Sequence, residues 1–206
     1  QLCRYWGSYC LRWLSPLAAA HRIPLLPPEA MVNSGSPQEL KKVVIYTDGS
    51  CDPNPGCGGY GAILRLGPDK KISEGYRKTT NNRMELMAVV KALQTLTEPC
   101  RITLYSDSQY VVNSISKGWA RKWRDNGWMR NKKDHAENPD LWESILQLCD
   151  THEVEFRWVK AHSSDSGNVH AKYNNMCDQL AKSAAKRPTS DLLVDEGYEA
   201  RQQTGC

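Results

Sequence analysis

The sequence lacks any apolar run that approaches the ~18 residues needed to cross a membrane as a helix, which excludes an ordinary transmembrane span. Eight cysteines are present, but none form a CxxC pair, and no Cys/His spacing matches a zinc site. Cys100, Cys149 and Cys177 fall in or beside segments with apolar periodicity. We therefore expect buried free thiols and a reducing, cytoplasmic location.

Neither sign of charge strongly dominates the chain. Its 27 basic and 23 acidic residues leave a formal net charge of +4, which fits an anionic partner without establishing one. Hydrophobic residues make up 40% of the sequence, enough for a packed core and too many for wholesale disorder. A length of 206 residues predicts one domain with additional tails.

Composition shifts divide the chain into three parts. Residues 24–38 are rich in Pro, Ser, Gly and Asn, so residues 1–40 are predicted to be a disordered N-terminal extension and linker. Residues 11–20 faintly resemble a signal peptide, but Arg12 interrupts them. We favour an unstructured extension or translated upstream sequence, with Met31 as a candidate start. Residues 188–206 lack a sustained period and are predicted to be a C-terminal tail, which leaves residues 41–187 as the folded domain.

The first half of this domain predicts strands followed by a helix. Residues 43–46 are a continuous apolar run, typical of a central strand. Residues 56–61 are interpreted as a glycine-rich turn leading into strands at 62–64 and 71–76. Helical spacing then begins near Leu86, with Asn81 or Asn82 as the cap.

The second half alternates strands with helices. Alternation predicts strands at 102–105 and 154–158. Asp107-Ser108 can cap a short helix that ends at Ile115. Apolar stripes predict further helices around residues 142–149 and 173–184. The order predicts an α/β fold, a five-stranded mixed sheet with flanking helices that begins as an antiparallel meander.

Four carboxylates stand at suggestive places: Asp48, Glu85, Asp107 and Asp178. Each alone fits an ordinary turn, cap or helix start. Asp48 and Asp107, however, follow predicted strands, where ligands of open α/β sheets gather, and the other two lie near predicted helix starts. Clustered carboxylates repel one another unless hard cations neutralise them. Two Mg²⁺ ions ~4 Å apart at such a cluster can activate water and stabilise a phosphodiester's leaving oxygen.

The motifs around these carboxylates closely resemble type 1 ribonuclease H over roughly residues 41–187. They are Tyr46-Thr47-Asp48-Gly49-Ser50, Thr80-Asn81-Asn82-Arg83-Met84-Glu85, Ser106-Asp107-Ser108-Gln109-Tyr110, Trp158-Val159-Lys160-Ala161-His162 and Cys177-Asp178. The resemblance implies a ribonuclease H-like fold. It also implies an endonuclease that cuts the RNA strand of RNA–DNA hybrids with two Mg²⁺ ions, for which Mn²⁺ could substitute, leaving 5′-phosphate and 3′-hydroxyl ends.

The resemblance also implies roles for the site residues. Asp48 would contact both metals, Asp178 would join it beside the attacking water, and Glu85 and Asp107 would lie beside the leaving oxygen. His162 would assist proton transfer and product departure. The segment 163–175 is interpreted as an unusually long loop that contains a second histidine, His170, so which histidine acts stays open.

Substrate contacts follow from the same resemblance. The backbone of Gly49, Ser50 and Cys51, with Asn81 and Gln109, would contact the minor groove and the 2′-hydroxyl that marks RNA. Asn54 and Asn82 would lie on the DNA side, and Thr80 in a DNA phosphate pocket. Asn81 and Asn82 also fit simple helix capping.

Tryptophans and cations interleave over residues 119–133, a segment that we call the handle. Such a pattern suits a nucleic-acid groove, and it resembles the family's basic protrusion. Trp119, Lys132 and Lys133 are the candidate contacts, whereas Trp123 and Trp128 are expected to be mainly structural.

Three alternatives lie open to the same sequence. The fold also resembles the nuclease cores of reverse transcriptases, integrases and junction resolvases. A module that binds hybrids without cutting them is a second reading, and a plain α/β scaffold is a third. The handle argues against the first and the four carboxylates against the second. The expected partner is an RNA–DNA hybrid duplex, with no membrane association and a monomeric protein.

Overall fold

The computed structural model describes residues 39–160 and 167–204, and the expectations for residues 1–38 lie outside this part of the chain. Its centre is a five-stranded sheet in the order β3-β2-β1-β4-β5. The strands are β1 (Lys41–Cys51), β2 (Gly56–Arg65), β3 (Asp69–Thr79), β4 (Cys100–Ser106) and β5 (Glu153–Trp158).

Six α-helices flank the sheet in the described residues. They are α1 (Asn81–Gln94), α2 (Gln109–Ser116), α3 (Trp119–Asp125), α4 (Pro139–Thr151), α5 (Val169–Ala185) and α6 (Glu196–Thr204). The main core contains the buried side chains of α1 and α4, among them Leu86 and Trp142. A smaller cluster of Tyr46, Ile63 and Cys177 lies between the sheet and α5.

The pairing of the strands confirms the predicted mixed sheet. β1, β2 and β3 form an antiparallel meander, with Ile45 opposite Leu64 and Tyr60 opposite Glu74. β4 then pairs in parallel with both β1 and β5. This topology places the carboxyl ends of β1 and β4 side by side.

The prediction of a turn at residues 56–61 was wrong, because these glycines belong to β2. A Cβ atom on Gly59 would come within 2.5 Å of the Ala181 carbonyl oxygen of α5, and one on Gly61 would collide with the Cys177 carbonyl. Glycine is needed here because a helix backbone packs directly on the strand. The turn between β1 and β2 lies just before these residues.

Helix starts also differ from the expectation at two places. The N-cap of α1 is Thr80, whose side chain accepts a hydrogen bond from the Arg83 amide, rather than Asn81 or Asn82. Helix α5 begins at Val169, capped by Asn168, so the predicted loop over 163–175 is shorter than expected. The predicted cap Ser108 of α2 is confirmed.

Residues 188–204 pack on the domain, in contrast to the predicted C-terminal tail. Leu193 forms a parallel bridge to Tyr76 of β3, and its amide donates to the Gly75 carbonyl at 2.8 Å. The segment therefore covers part of an edge strand. Leu192, Asp195 and Tyr198 are buried, and α6 follows.

A buried ion network anchors this segment to α1. The Arg83 guanidinium, 1% exposed, donates to both oxygens of Asp195 at 2.6 and 2.7 Å. It also donates to both oxygens of Asp140 in α4, at 3.0 and 2.8 Å. Thr79 donates to Asp195 at 2.6 Å. Such paired geometry offsets the cost of burying the charges.

The described residues also bear on the expected lack of a membrane span and on the expected free cysteines. No helix among them is long and apolar enough to cross a membrane. Their cysteines are unpaired, with Cys100 and Cys177 buried and Cys149 half-buried, as expected.

We predict that Asp195→Ala lowers the free energy of unfolding by about 3–5 kcal/mol, because Arg83 keeps its buried charge and loses a bidentate partner. Urea denaturation measures this change. The control is Asp191→Ala in the same segment, which removes an exposed carboxylate and should change stability by less than about 0.5 kcal/mol. Equal effects of the two substitutions would refute the anchoring role.

Candidate active site

The parallel pairing of β1 and β4 brings two of the predicted carboxylates together. Thr47 of β1 pairs with Ser106 of β4. Asp48 follows Thr47 and Asp107 follows Ser106, so the two carboxylates lie at neighbouring strand ends. Asp48 is 5% exposed, and its Oδ1 accepts a hydrogen bond from the Gly49 amide at 2.8 Å. The backbone ladder therefore fixes where these two charges lie.

Glu85 reaches the same place because α1 packs against β1 without an intervening side chain. A Cβ atom on Gly49 would collide with the backbone of Met84 and Glu85. Glycine at this strand position thus permits a close approach of helix and strand. The Asp-Gly-Ser sequence, an ordinary turn when read alone, is here the end of a strand.

The three carboxylates form one cluster. Asp48, Glu85 and Asp107 each offer an oxygen atom, and these atoms lie within 4.8 Å of one another. Burial, followed by the charges of Asp107 and Asp178, raises the pKa of Asp48 to about 8. Burial, followed by the charges of Asp48 and Asp107, raises the pKa of Glu85 well above its ordinary value.

The cluster fits a divalent cation. Glu85 Oε2 is buried and has no hydrogen-bond partner among the described residues. The ionised form of a buried, unpartnered carboxylate oxygen beside two other carboxylates is unfavourable, and a bound cation would neutralise it. An all-oxygen donor set is the type that Mg²⁺ prefers.

Helix α5 carries the fourth carboxylate. Asp178 lies in the middle of α5 rather than near its start, because the helix begins at Val169. Its charge acts on Asp48, but its oxygens pair with Lys182 Nζ at 2.8 Å and are not part of the three-carboxylate group.

Sequence reasoning missed Asn174, which lies one turn before Asp178. Its Nδ2 donates to Asp107 Oδ2 at 2.9 Å, and the residue is 2% exposed. Asn174, Asp178 and Lys182 recur every four residues, so they share a face of α5. That spacing was the available signal.

The predicted substrate residues near the β1–β2 turn are joined in one network. Asn81 Oδ1 accepts from the Cys51 amide at 3.1 Å, and the Asn81 amide donates to Asn54 Oδ1 at 3.1 Å. Gly49 and Ser50 lie in the same strand end, and Thr80 caps the adjacent helix. Gln109 is exposed at the start of α2, which follows β4 in the chain.

The handle has a structural and an exposed part. Trp123 and Trp128 pack against the core, as expected, while Trp119 is 40% exposed. Trp119 and Asn82 line a cavity of about 550 Å³. Lys117 lies over the Trp119 ring, 4.9 Å from its centroid.

Half of the handle's cations form ion pairs. Arg121 and Arg124 pair with Asp150 of α4, and Arg130 pairs with Asp134. The remaining three, Lys122, Lys132 and Lys133, are exposed and form no ion pair in residues 39–160 and 167–204.

Only one of the two candidate histidines, His170, lies within the described residues. His162 lies outside the described residues. His170 is held in α5, with Nδ1 2.9 Å from the Tyr46 hydroxyl and its ring stacked on Tyr105 at 4.1 Å between centroids. Packing between aromatic rings favours a structural role for His170.

Comparison with known proteins agrees with this geometry. A family model described as RNase H matches residues 40–186. The chain belongs to the ribonuclease H family. A Ribonuclease H from Desulforamulus reducens is 55% identical over 164 residues, which cover 79% of this chain and 99% of the relative. A Ribonuclease HI from Synechocystis sp. is 52% identical over 158 residues, covering 76% and 94%.

A solved structure confirms the ribonuclease H fold. The crystal structure of LC9-RNase H1, described as a type 1 RNase H with the type 2 active-site motif, superposes with a TM-score of 0.62 at 27% identity. The match covers 81% of this chain and 83% of that one. The chain is therefore a ribonuclease H enzyme by family, and the predicted α/β fold class is confirmed.

We predict that Asp48→Asn stabilises the metal-free protein increasingly as the pH rises. The folded pKa of Asp48, about 8, exceeds its ordinary value of 3.8, so protonation favours the folded state. The stabilisation from this protonation is complete below pH 3.8 and is lost as the pH rises through about 8. Asparagine is neutral throughout, so the stability gap should widen from pH 5 to pH 8.5.

Urea denaturation in the presence of a chelator measures this gap. The control is Asp125→Asn, which replaces an exposed carboxylate outside the cluster. A gap that is independent of pH for Asp48→Asn would show that the cluster does not carry the repulsion.

Proposed function

We propose that this protein is an endonuclease that hydrolyses the RNA strand of RNA–DNA hybrids, leaving 5′-phosphate and 3′-hydroxyl ends. The observation that carries the proposal is the convergence of Asp48, Glu85 and Asp107 within 4.8 Å, beside Asp178, in a chain of the ribonuclease H family. Mutual repulsion among carboxylates is unfavourable, and neither a scaffold without catalytic function nor a module that only binds hybrids requires such a cluster.

The proposed metal ligands divide by position. Asp48 would help to hold both Mg²⁺ ions, Asp178 would join it on the side of the attacking water, and Glu85 and Asp107 would lie on the side of the leaving oxygen. When bound, the ions would activate water and stabilise the departing 3′ oxygen, and Mn²⁺ could substitute for Mg²⁺. Asn174 supports this arrangement, since its amide orients Asp107 through a 2.9 Å hydrogen bond.

Recognition of the hybrid would use the turn network and the handle. The 2′-hydroxyl distinguishes RNA, and the strand end at Gly49, Ser50 and Cys51 lies directly beside the carboxylates. The bonds from Asn81 to Cys51 and Asn54 hold this backbone in place. Thr80 and Asn82 at the start of α1, and Gln109 at the start of α2, would make phosphate and groove contacts.

The proton-transfer role is proposed for His162, which closes the Trp-Val-Lys-x-His motif. The aromatic packing of His170 supports this choice, because a residue that follows protons and product must move. We also propose that the protein acts as a monomer in the cytoplasm.

The decisive test is cleavage of an end-labelled RNA–DNA hybrid by the wild type and by Asp48→Asn, with Mg²⁺ and with a chelator. We expect metal-dependent cutting of the RNA strand alone, with ligatable 5′-phosphate ends. Asp48→Asn should reduce the rate by more than about 100-fold, since even a residue that only orients a ligand is typically worth 10–100-fold. Asp191→Asn, which changes an exposed carboxylate that belongs to neither the cluster nor the handle, should cut normally.

Single-stranded RNA, duplex RNA and duplex DNA are the substrate controls. Hybrid binding without cutting would favour the binding-module alternative, and cutting of duplex DNA would favour the resolvase and integrase branch. Either result would refute the proposal.

For the handle, we predict that Lys132→Ala with Lys133→Ala weakens hybrid binding and reduces the salt slope by about 1–2, because two phosphate contacts are lost. Turnover at saturating substrate should stay near that of the wild type. Binding measured from 50 to 200 mM KCl tests this. The matched control, Lys70→Ala with Lys71→Ala, removes two exposed lysines from β3 and should change neither quantity. Lower turnover with unchanged binding would show that the handle does not grip the substrate.

A further inference from the structure

One candidate metal ligand is already paired with a cation of the protein itself. Lys182 lies one helical turn after Asp178 on α5, and its Nζ is 2.8 Å from both Asp178 oxygens. Asp178 is consequently oriented toward Lys182, while Asp48, Glu85 and Asp107 converge on one another. The ammonium contacts the same two oxygens that a metal ion at Asp178 would need.

This pair is suited to exchange rather than to permanent structure. The Lys182 side chain is 50% exposed and that of Asp178 is 18% exposed. Ion pairs of this spacing on an exposed helix face are weak, and lysine is a flexible point charge. Rotation of the lysine into solvent would release both carboxylate oxygens at little cost. By contrast, Asn174 holds Asp107 with a neutral amide that leaves its charge in place.

We propose that Lys182 is a positioning residue that competes with divalent cations for Asp178 and so sets the metal concentration at which the Asp178 side of the site fills. This inference rests on the proposed role of Asp178 as a metal ligand. The lysine keeps Asp178 neutralised when metal is scarce, and it opposes filling both by occupying the oxygens and by its charge.

The test is Mn²⁺ binding to the intact protein without nucleic acid at 0.15 M KCl. Electron paramagnetic resonance of the free ion measures the binding. Lys182→Gln should tighten the weaker phase of binding by about two- to fivefold, the factor expected from losing one exposed ion pair. The matched control is Lys172→Gln, an equal charge change at an exposed position of α5. It should shift binding by less than about 1.5-fold, because its charge is screened.

A double variant separates direct competition from general electrostatics. If Lys182 competes for the oxygens of Asp178, then Lys182→Gln should tighten Mn²⁺ binding much less in an Asp178→Asn background, because the paired carboxylate is gone and only the charge of Lys182 near Asp48 remains. Weaker or unchanged binding in Lys182→Gln, or an equal shift in Lys172→Gln, would overturn the proposal. Circular dichroism of each variant establishes that it is folded.

The outcome is distinguishable from that of the proposed function. Hybrid cleavage by the wild type with no change in Mn²⁺ affinity in Lys182→Gln would refute only the competition. The predicted affinity change in a protein that does not cleave hybrids would support the competition and refute the nuclease assignment. If both hold, the Mg²⁺ concentration for half-maximal cleavage should also fall in Lys182→Gln.

Discussion

Repulsion among buried carboxylates is the constraint on which the rest of the site depends. Asp48, Glu85 and Asp107 would separate if they were attached to flexible segments, since the charge of Asp107 raises the pKa of Asp48, and the charges of Asp48 and Asp107 raise the pKa of Glu85. They stay together because the backbone fixes the position of each residue. The β1–β4 ladder fixes two of them, and the close contact of α1 with Gly49 fixes the third.

The elements that carry these charges are themselves held by distant parts of the chain. Arg83 lies two residues before Glu85 and is bonded to Asp195, 112 residues away. The same guanidinium reaches Asp140 at the start of α4. Rigid support of this kind keeps a strained, charged site in working geometry, at a cost that the buried ion network and the core offset.

Much of this arrangement could be predicted from local sequence. The apolar run of β1, the helical stripe of α4 and the Ser108 cap depend on neighbouring residues, and all were found. The failures share a nonlocal cause. Gly59 and Gly61 resemble turn residues until α5 is seen to pack on them, and Asp195 has no local pattern that reveals its partner Arg83. The site carboxylates were identified by their motifs. Asn174 and Lys182 were missed because only the fold shows that this face of α5 meets Asp107.

The central claim is that the three clustered carboxylates hold a divalent cation, and anomalous diffraction tests it most directly. Crystals of the wild type would be soaked in Mn²⁺ at a concentration that supports cleavage, and data would be collected at the manganese absorption edge. The account predicts an anomalous peak within coordination distance of Asp48, Glu85 and Asp107, at ~2.0–2.3 Å from their oxygens. Absence of a peak there, with the carboxylates still converged, would contradict it.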